Sequence, residues 1–458
     1  MVMAAPGAAL AHGLVGRQDL PIPKWLFGWA ATVVLVASFV GLAVLWPKPR
    51  LEQPFERRIA GLPRLLDPLA GAIGVALFAL VVYAGFTGDQ TTTNNIAPMF
   101  IFVLFWVGLA VVSPTLGDVF KALNPWRATA RAVAWVAAKA ARGGLPTPMP
   151  YPERLGRWPA AIGILAFAWV ELVYAGRGDP SNLAVLALAY AAVQWVGMSL
   201  YGIDTWNRYG DGFGVYYGLL ARIAPLRWAR EGLFARPPLS ALTTLDAVPG
   251  TVALACMIIG TTSFDGFSSG PAWSEIAPQL TDLWRSVGFG QSTALELAFT
   301  IGLLAAVLIV AGLYRLGVLG MQSVDPRDVT PTNVLAGRFV HSLVPIGLAY
   351  VIAHYFSLFA YEGQRVSYLV SDPLGTGANY FGTSSATVDY TWISATQIWY
   401  VQVAALVIGH VAGLVLAHDR ALVSFGDNRT ATRSQYWMLA VMIAFTSLGL
   451  WLLSAANS

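Results

Sequence analysis

Ten long apolar runs separated by short polar stretches dominate the chain. They run from Leu26 to Trp46, Leu69 to Phe86, Met99 to Ser113, Ala160 to Ala175, Leu183 to Tyr201, Ala247 to Phe264, Ala294 to Val318, Phe339 to Tyr361, Ala395 to Leu416 and Tyr436 to Leu453. A helix needs about 20 apolar residues to cross a bilayer, so the pattern predicts an all-α fold, a polytopic transmembrane bundle with about ten spans. Two polar intervals carry a helical period of their own. Val119 to Arg142 spaces Lys121, Asn124, Arg127, Arg131, Lys139 and Arg142 mostly three or four apart, and Phe213 to Phe234 repeats this with Arg222, Arg227 and Arg230 around Pro225. Both read as amphipathic helices on the cytoplasmic membrane surface, held by anionic lipid.

Composition agrees with this class: 56% of the 458 residues are hydrophobic and 11% charged, more apolar surface than a soluble protein of this size can hide. Charge then orients the bundle. Of 28 Lys and Arg residues, five fall in Lys48 to Arg64, seven in Lys121 to Arg157, five in Arg208 to Arg236, three in Arg315 to Arg338 and three in Arg420 to Arg433. The intervals between those patches hold only Arg17, Lys24, Arg177, Arg285 and Arg365. Basic loops stay in the cytoplasm, which places both termini outside a bacterial inner membrane. The net charge of +4 is thereby a topology signal and gives no reason to expect nucleic acid.

Residues 26–454 read as a single transmembrane domain, preceded by an outside segment, 1–25. Within that segment Ala4 to Ala11 ends in Ala-Leu-Ala, like the tail of a secretory signal with its small-residue cleavage site. Cleavage there would make His12 the mature terminus, whose amine and imidazole together suit a metal such as copper. The lone Cys256 lies in an apolar run, which excludes an internal disulfide or a cysteine-based zinc site. Asn207 to Gly214 is glycine-rich but lacks the Lys-Ser/Thr of a phosphate loop and reads as a turn. Asn124-Pro125-Trp126 reads as a bend with an interfacial Trp. The segments Ser263 to Thr293 and Glu362 to Ser394 read as irregular outer loops closing over a pocket.

Ionisable residues at membrane depth are costly and usually face the bundle interior, so they are the functional candidates. Traced along each span, Glu171, Asp265, Glu296, His354 and Glu362 converge on the outer level. Tyr350, His354, Tyr361 and Glu362 recur at helical spacing and predict a polar stripe turned towards a cavity. Glu171, Asp265, His354 and Glu362 are therefore the candidate catalytic residues. His354, Asp265 and Glu362 are candidate ligands for a divalent metal ion, which would supply hydroxide at neutral pH. In the alternative, these acids pair with Arg177, Arg365 or loop amides and finish helices at the interface. On the inner side, His341 and His410 lie at similar depths and suit hydrogen bonding between helices, while His418, Asp419 and Arg420 are expected to be solvated.

At Ala11-His-Gly-Leu-Val-Gly-Arg-Gln-Asp-Leu-Pro-Ile-Pro23, Leu123-Asn-Pro-Trp-Arg127, Gly260-Thr-Thr-Ser-Phe-Asp-Gly-Phe267, Phe339-Val-His-Ser-Leu-Val-Pro-Ile346 and His354-Tyr-Phe-Ser-Leu358, the chain resembles a bacterial multi-pass membrane family. Its members are often labelled fenitrothion hydrolase. The resemblance implies hydrolysis of an organophosphate triester with release of a nitrophenol, and an apolar substrate reaching the site from the bilayer. It assigns no catalytic residue. Two other classes fit the same sequence: an ion-coupled transporter or permease, for which buried Glu171, Glu296 and His354 are equally natural, and a metal-handling membrane assembly factor, which rests on His12 and the acidic outer face.

Overall fold

The computed structural model describes residues 24–141, 146–324 and 330–456. Among them, nine helical stretches are long and apolar enough to cross a membrane: Gly28–Leu45, Leu66–Thr87, Ile96–Leu116, Pro180–Tyr201, Thr251–Ser268, Gln291–Gln322, Thr332–Ser371, Ala395–Ser424 and Asn428–Leu452. Each corresponds to a run expected from the sequence. The tenth run, the fourth in order, is shorter than a full span. It forms the 15-residue helix α7, Trp158–Leu172, which at ~1.5 Å per residue covers about 22 Å and falls short of a ~30 Å hydrocarbon core.

In chain order the other elements are α1 (Lys24–Leu45), β1 (Arg57–Ala60), α2 (Leu66–Thr87), α3 (Ile96–Met99), a π-helical stretch (Phe100–Gly108), α4 (Leu109–Leu116), α5 (Val119–Leu123), α6 (Pro125–Ala140), α8 (Pro180–Tyr201), α9 (Ile203–Tyr209), α10 (Gly212–Leu220), β2 (Leu226–Ala229) and β3 (Gly232–Ala235). There follow α11 (Thr251–Ser268), α12 (Pro271–Ser286), α13 (Gln291–Gln322), α14 (Thr332–Phe339), α15 (Leu343–Glu362), α16 (Val366–Ser371), α17 (Ala395–Ser424) and α18 (Asn428–Ala456). Helix α15 is the axis of the bundle, packing on α11, α17, α18, the π-helical stretch and α10. Close approach to α17 depends on small residues: a Cβ on Gly409 would lie 2.3 Å from Ala349 Cβ and 2.7 Å from the Pro345 carbonyl. Lipid gives helices no hydrophobic reason to associate, so such backbone proximity and its dispersion contacts hold the pair together. The outer helices turn Val33, Val40 and Val44, or Ile301, Leu308 and Ile309, outward, as a lipid solvent allows.

The surface-helix expectations are corrected in part. Val119 to Arg142 breaks into α5 and α6 where Pro125 begins a new helix and the Asn124 side chain accepts from Arg127 N at 2.9 Å. Trp126 is not interfacial; it is 4% exposed and donates to Asp211 Oδ2 at 2.7 Å. Phe213 to Phe234 forms no surface helix. Its first half is α10, buried around Phe213, Tyr216, Tyr217 and Leu220 among α4, α7 and α15, because this stretch carries no charge before Arg222 and is apolar all round. Pro225 then ends the helical course, and β2 and β3 form an antiparallel hairpin that β1 extends to the order β1-β3-β2. Gly232 permits that third strand, since a Cβ there would sit 2.3 Å from the Ala60 carbonyl. Nor is 263–293 an irregular lid: α11 continues to Ser268, and α12 follows as an amphipathic helix with Trp273, Ala277 and Thr281 inward.

The basic ends of the spans are stitched by ion pairs and by buried polar side chains. Asp67 pairs with Arg127 at 3.0 Å and Arg131 at 2.5 Å, joining α2 to α6. His418, Asp419 and Arg420 are not solvated. Asp419 is fully buried and accepts from Trp46 Nε1 at 2.8 Å, Arg50 N at 2.7 Å and Leu51 N at 2.9 Å, fastening the segment after α1 to α17. His418 lies 3.1 Å from the Trp46 carbonyl, and Arg420 reaches Glu52 at 2.7 Å and the Thr243 carbonyl.

Two stability predictions follow from these contacts. Asp419→Ala strands three donors and should destabilise the protein by on the order of 3–5 kcal/mol, read as a clear fall in the melting midpoint in detergent; an unchanged midpoint would contradict the hub. Gly409→Val should cost about 1–3 kcal/mol by overpacking α15 against α17, whereas Gly312→Val, with open space around it, should leave the same midpoint in place.

Candidate functional site

The polar groups brought together at the neutral ends of the spans come from three helices and one loop. Asp265 lies in the last turn of α11, His354 two turns before the end of α15, and Glu171 at the end of α7. Their positions follow from helix direction, since all three helices run from the basic end to the neutral end. His354 Nε2 lies 2.7 Å from Asp265 Oδ2, and both side chains are buried, at 8% and 1% exposure. The opposite ring nitrogen, Nδ1, faces the α11 backbone, where a Cβ on Gly266 would lie 3.6 Å away. A carboxylate so close fixes the orientation of the ring.

Tyr355, the next residue along α15, is 3% exposed and packs edge-on against the His354 ring with centroids 4.7 Å apart. Its hydroxyl stands between the carboxylates of Asp265 and Glu171. Arg177, in the loop after α7, lies within electrostatic reach of both acids. Burial pulls the Arg177 guanidinium below its ordinary pKa, and the two carboxylates act in the opposite direction. The cluster thus contains one imidazole, two carboxylates, a phenol and a guanidinium, a set able to take up, hold and release protons while limiting the net buried charge.

The other sequence candidates lie elsewhere. Glu362 does not join His354; it forms an ion pair with Arg365 one turn on, at the end of α15. Glu296 accepts from Ala175 N at 3.0 Å and secures the loop that follows α7. The stripe on α15 faces no single cavity, because Tyr350 donates to the Phe445 carbonyl at 2.5 Å, Tyr361 donates to the Ile393 carbonyl at 3.0 Å, and His354 meets Asp265. His12 lies outside the described residues. On the basic side, His341 packs against the Arg338 and Leu416 carbonyls, and His410 Nδ1 lies 2.7 Å from the Leu406 carbonyl of its own helix. Among the described residues no group of three or more His, Cys, Asp or Glu side chains is placed to hold a metal ion.

Two features escaped the sequence reading. Tyr355 completes the cluster beside Arg177, which the sequence had offered as a partner for these acids; a Tyr next to a candidate His is the only linear trace of the phenol. Asp211, read as part of a turn, is fully buried and accepts from Asn124 Nδ2 at 2.9 Å, Trp126 Nε1 at 2.7 Å and the Tyr190 hydroxyl at 2.8 Å. The long segment after α16 is irregular, as expected, and pinned: Gln364 exchanges hydrogen bonds of 3.1 and 2.9 Å with the Asp389 backbone. With Asn94, Arg365, Tyr368 and Asp372 it borders a polar cavity of about 600 Å³.

No protein-family description, no curated protein and no solved structure matches the chain.

Proposed function

We propose that the protein is a proton-coupled membrane transporter whose coupling site is the Asp265–His354 pair with Tyr355, Glu171 and Arg177. The observation that carries this reading is the buried 2.7 Å contact between a carboxylate and an imidazole inside an apolar bundle. Ionisable groups at membrane depth that pair with each other and face the bundle interior mark proton and ion pathways. Interrupted helices beside the pair support it. The third span has a nine-residue π-helical stretch, a conformation that is rare and concentrated at functional sites, α7 is a short helix, and α10 is a short helix buried within the bundle. Transporter sites are commonly built where helices are discontinuous.

In this reading the basic ends lie in the cytoplasm of a bacterial plasma membrane, both termini are outside, and the site loads from the outside. Protonated His354 is neutralised by Asp265. Loss of that proton leaves the carboxylates with one positive partner fewer, and Arg177 and the Tyr355 hydroxyl then shift their interactions towards them. A substrate whose binding compensates that change is coupled to the proton. Purified protein in proteoliposomes should take up protons when a membrane potential is imposed, followed with an entrapped pH dye. Asp265→Asn and His354→Gln should each slow uptake by roughly tenfold or more, a barrier increase of about 1.4 kcal/mol; uptake at the wild-type rate in both variants would sink the proposal.

A second reading, hydrolysis of an apolar organophosphate triester, draws on the sequence resemblance and on the same pair. A carboxylate that orients an imidazole is also the arrangement of a general base, able to take a proton from an attacking water. Detergent-purified protein, with and without added divalent metals, should then release nitrophenolate from fenitrothion, and His354→Ala should abolish the release. The version with a divalent ion at Asp265 and His354 further requires about one equivalent of bound metal by elemental analysis, lost in Asp265→Ala. No release under either condition eliminates this reading.

A further inference from the structure

Beyond α15 the chain continues through one tight helical turn, Gly363–Arg365, into α16. One face of this short helix is a wall of the polar cavity of about 600 Å³ at the neutral end of the bundle. Arg365 precedes α16 and Asp372 follows it, and both line the cavity with Tyr368 and Leu369 between them. Spacings of three, four and seven residues keep these side chains on one helical face. At ~1.5 Å per residue the positions of the guanidinium and the carboxylate stand about 10 Å apart.

The two charges are not spent on each other. Arg365 pairs backward with Glu362, and its Nη1 donates to the Tyr368 hydroxyl at 3.3 Å. Asp372 accepts from Thr376 N at 3.0 Å and Gly377 N at 2.6 Å. A guanidinium has more N–H donors, and a carboxylate more acceptor sites, than these contacts use. The walls are also held in place by the fold itself. Asp89 N donates to the Leu374 carbonyl at 2.8 Å and Ile96 N to the Pro373 carbonyl at 3.1 Å, which ties the segment between α2 and α3 to the residues after α16. Gly375 permits that approach: its φ is +67°, and a Cβ there would lie 2.7 Å from the Asn94 carbonyl oxygen. A cavity of this volume is in the range of small-molecule sites, and a preformed one needs little ordering when a ligand enters.

We propose that this cavity binds a small zwitterion with the charge separation of a di- or tripeptide, its carboxylate at Arg365 and its ammonium at Asp372. Two or three extended residues at ~3.3–3.6 Å each span about 7–11 Å, which matches the distance between the two positions. A ligand with a single charge meets a like charge at the other end of the wall, and such juxtaposition suppresses the wrong partner. Tyr368 and Leu369 lie along the middle of the zwitterion, and Asn94 and Ser384 in the same lining supply hydrogen-bond partners for its amides. The inference rests on the proton-coupled reading only in making this zwitterion the transported substrate; binding needs the cavity alone.

The test is calorimetric titration of the detergent-purified full chain with trialanine, beside N-acetyl-trialanine, which lacks the ammonium, and trialanine amide, which lacks the carboxylate. Trialanine should bind, and each capped form should bind at least roughly tenfold more weakly. In Asp372→Asn, whose amide oxygen still accepts from the loop N–H groups, trialanine and its N-acetyl form should bind alike while the melting midpoint stays close to wild type. Arg365→Gln should in the same way erase the preference over the amide. If trialanine does not bind, or the three peptides bind the wild type alike, the site is overturned whatever the proton measurements give. If trialanine binds with these preferences while Asp265→Asn leaves proton uptake unchanged, the zwitterion site stands and the proton-coupled reading falls.

Discussion

Hydrocarbon offers no hydrogen-bond partner, so every polar group at membrane depth has to find one inside the protein. That constraint governs the arrangement of this bundle more than any single contact. Asp419 collects three donors, Asp211 collects three side-chain donors, and His354 and Asp265 take each other. Serines and threonines along α11 donate to the carbonyls four residues back in their own helix, as Thr261, Thr262 and Ser263 do.

The same constraint explains what the sequence made legible. A run of about 20 apolar residues has one stable conformation in lipid, and every expected run is a helix in the structure. The fourth forms a helix of 15 residues, about the length of the apolar run that predicted it and too short for a full span. Where water competes, linear pattern loses its hold. Phe213 to Phe234 has helical spacing throughout, yet Pro225 and the pairing of β3 with both β1 and β2 turn its second half into a sheet. Contacts across nearly 180 residues of chain, such as Arg58 with Phe234, leave no periodic trace.

The candidate site was legible in kind and only partly in membership. Asp265 and His354 could be singled out because a charge in an apolar helix is conspicuous, and helix direction placed them at one level. Partner choice depends on rotation and tilt, which spacing does not encode. Glu362 looked equivalent to His354 on the helical wheel but turned to Arg365, three residues along, and Glu296 turned to the backbone of the loop after α7. Each partner available locally removes an acid from the site, so those left to meet across helices are the ones with no neighbour of their own to satisfy them.

The two ends of the bundle divide the work accordingly. At the basic end, Asp67, Asp419 and Glu52 are saturated by arginines and backbone amides contributed by distant parts of the chain, an arrangement that resists change because any movement strands several groups at once. At the neutral end, the Asp265–His354 pair meets Glu171 through a single phenol, with Arg177 supplied by a loop. Short α7 and buried α10 lie between the two ends and pack on each other, α7 also against α11 and α10 also against α4 and α15. The bundle thus joins a basic end, where acids are held by several partners at once, to a neutral end where titratable side chains from α7, α11 and α15 meet, with close apolar packing between them.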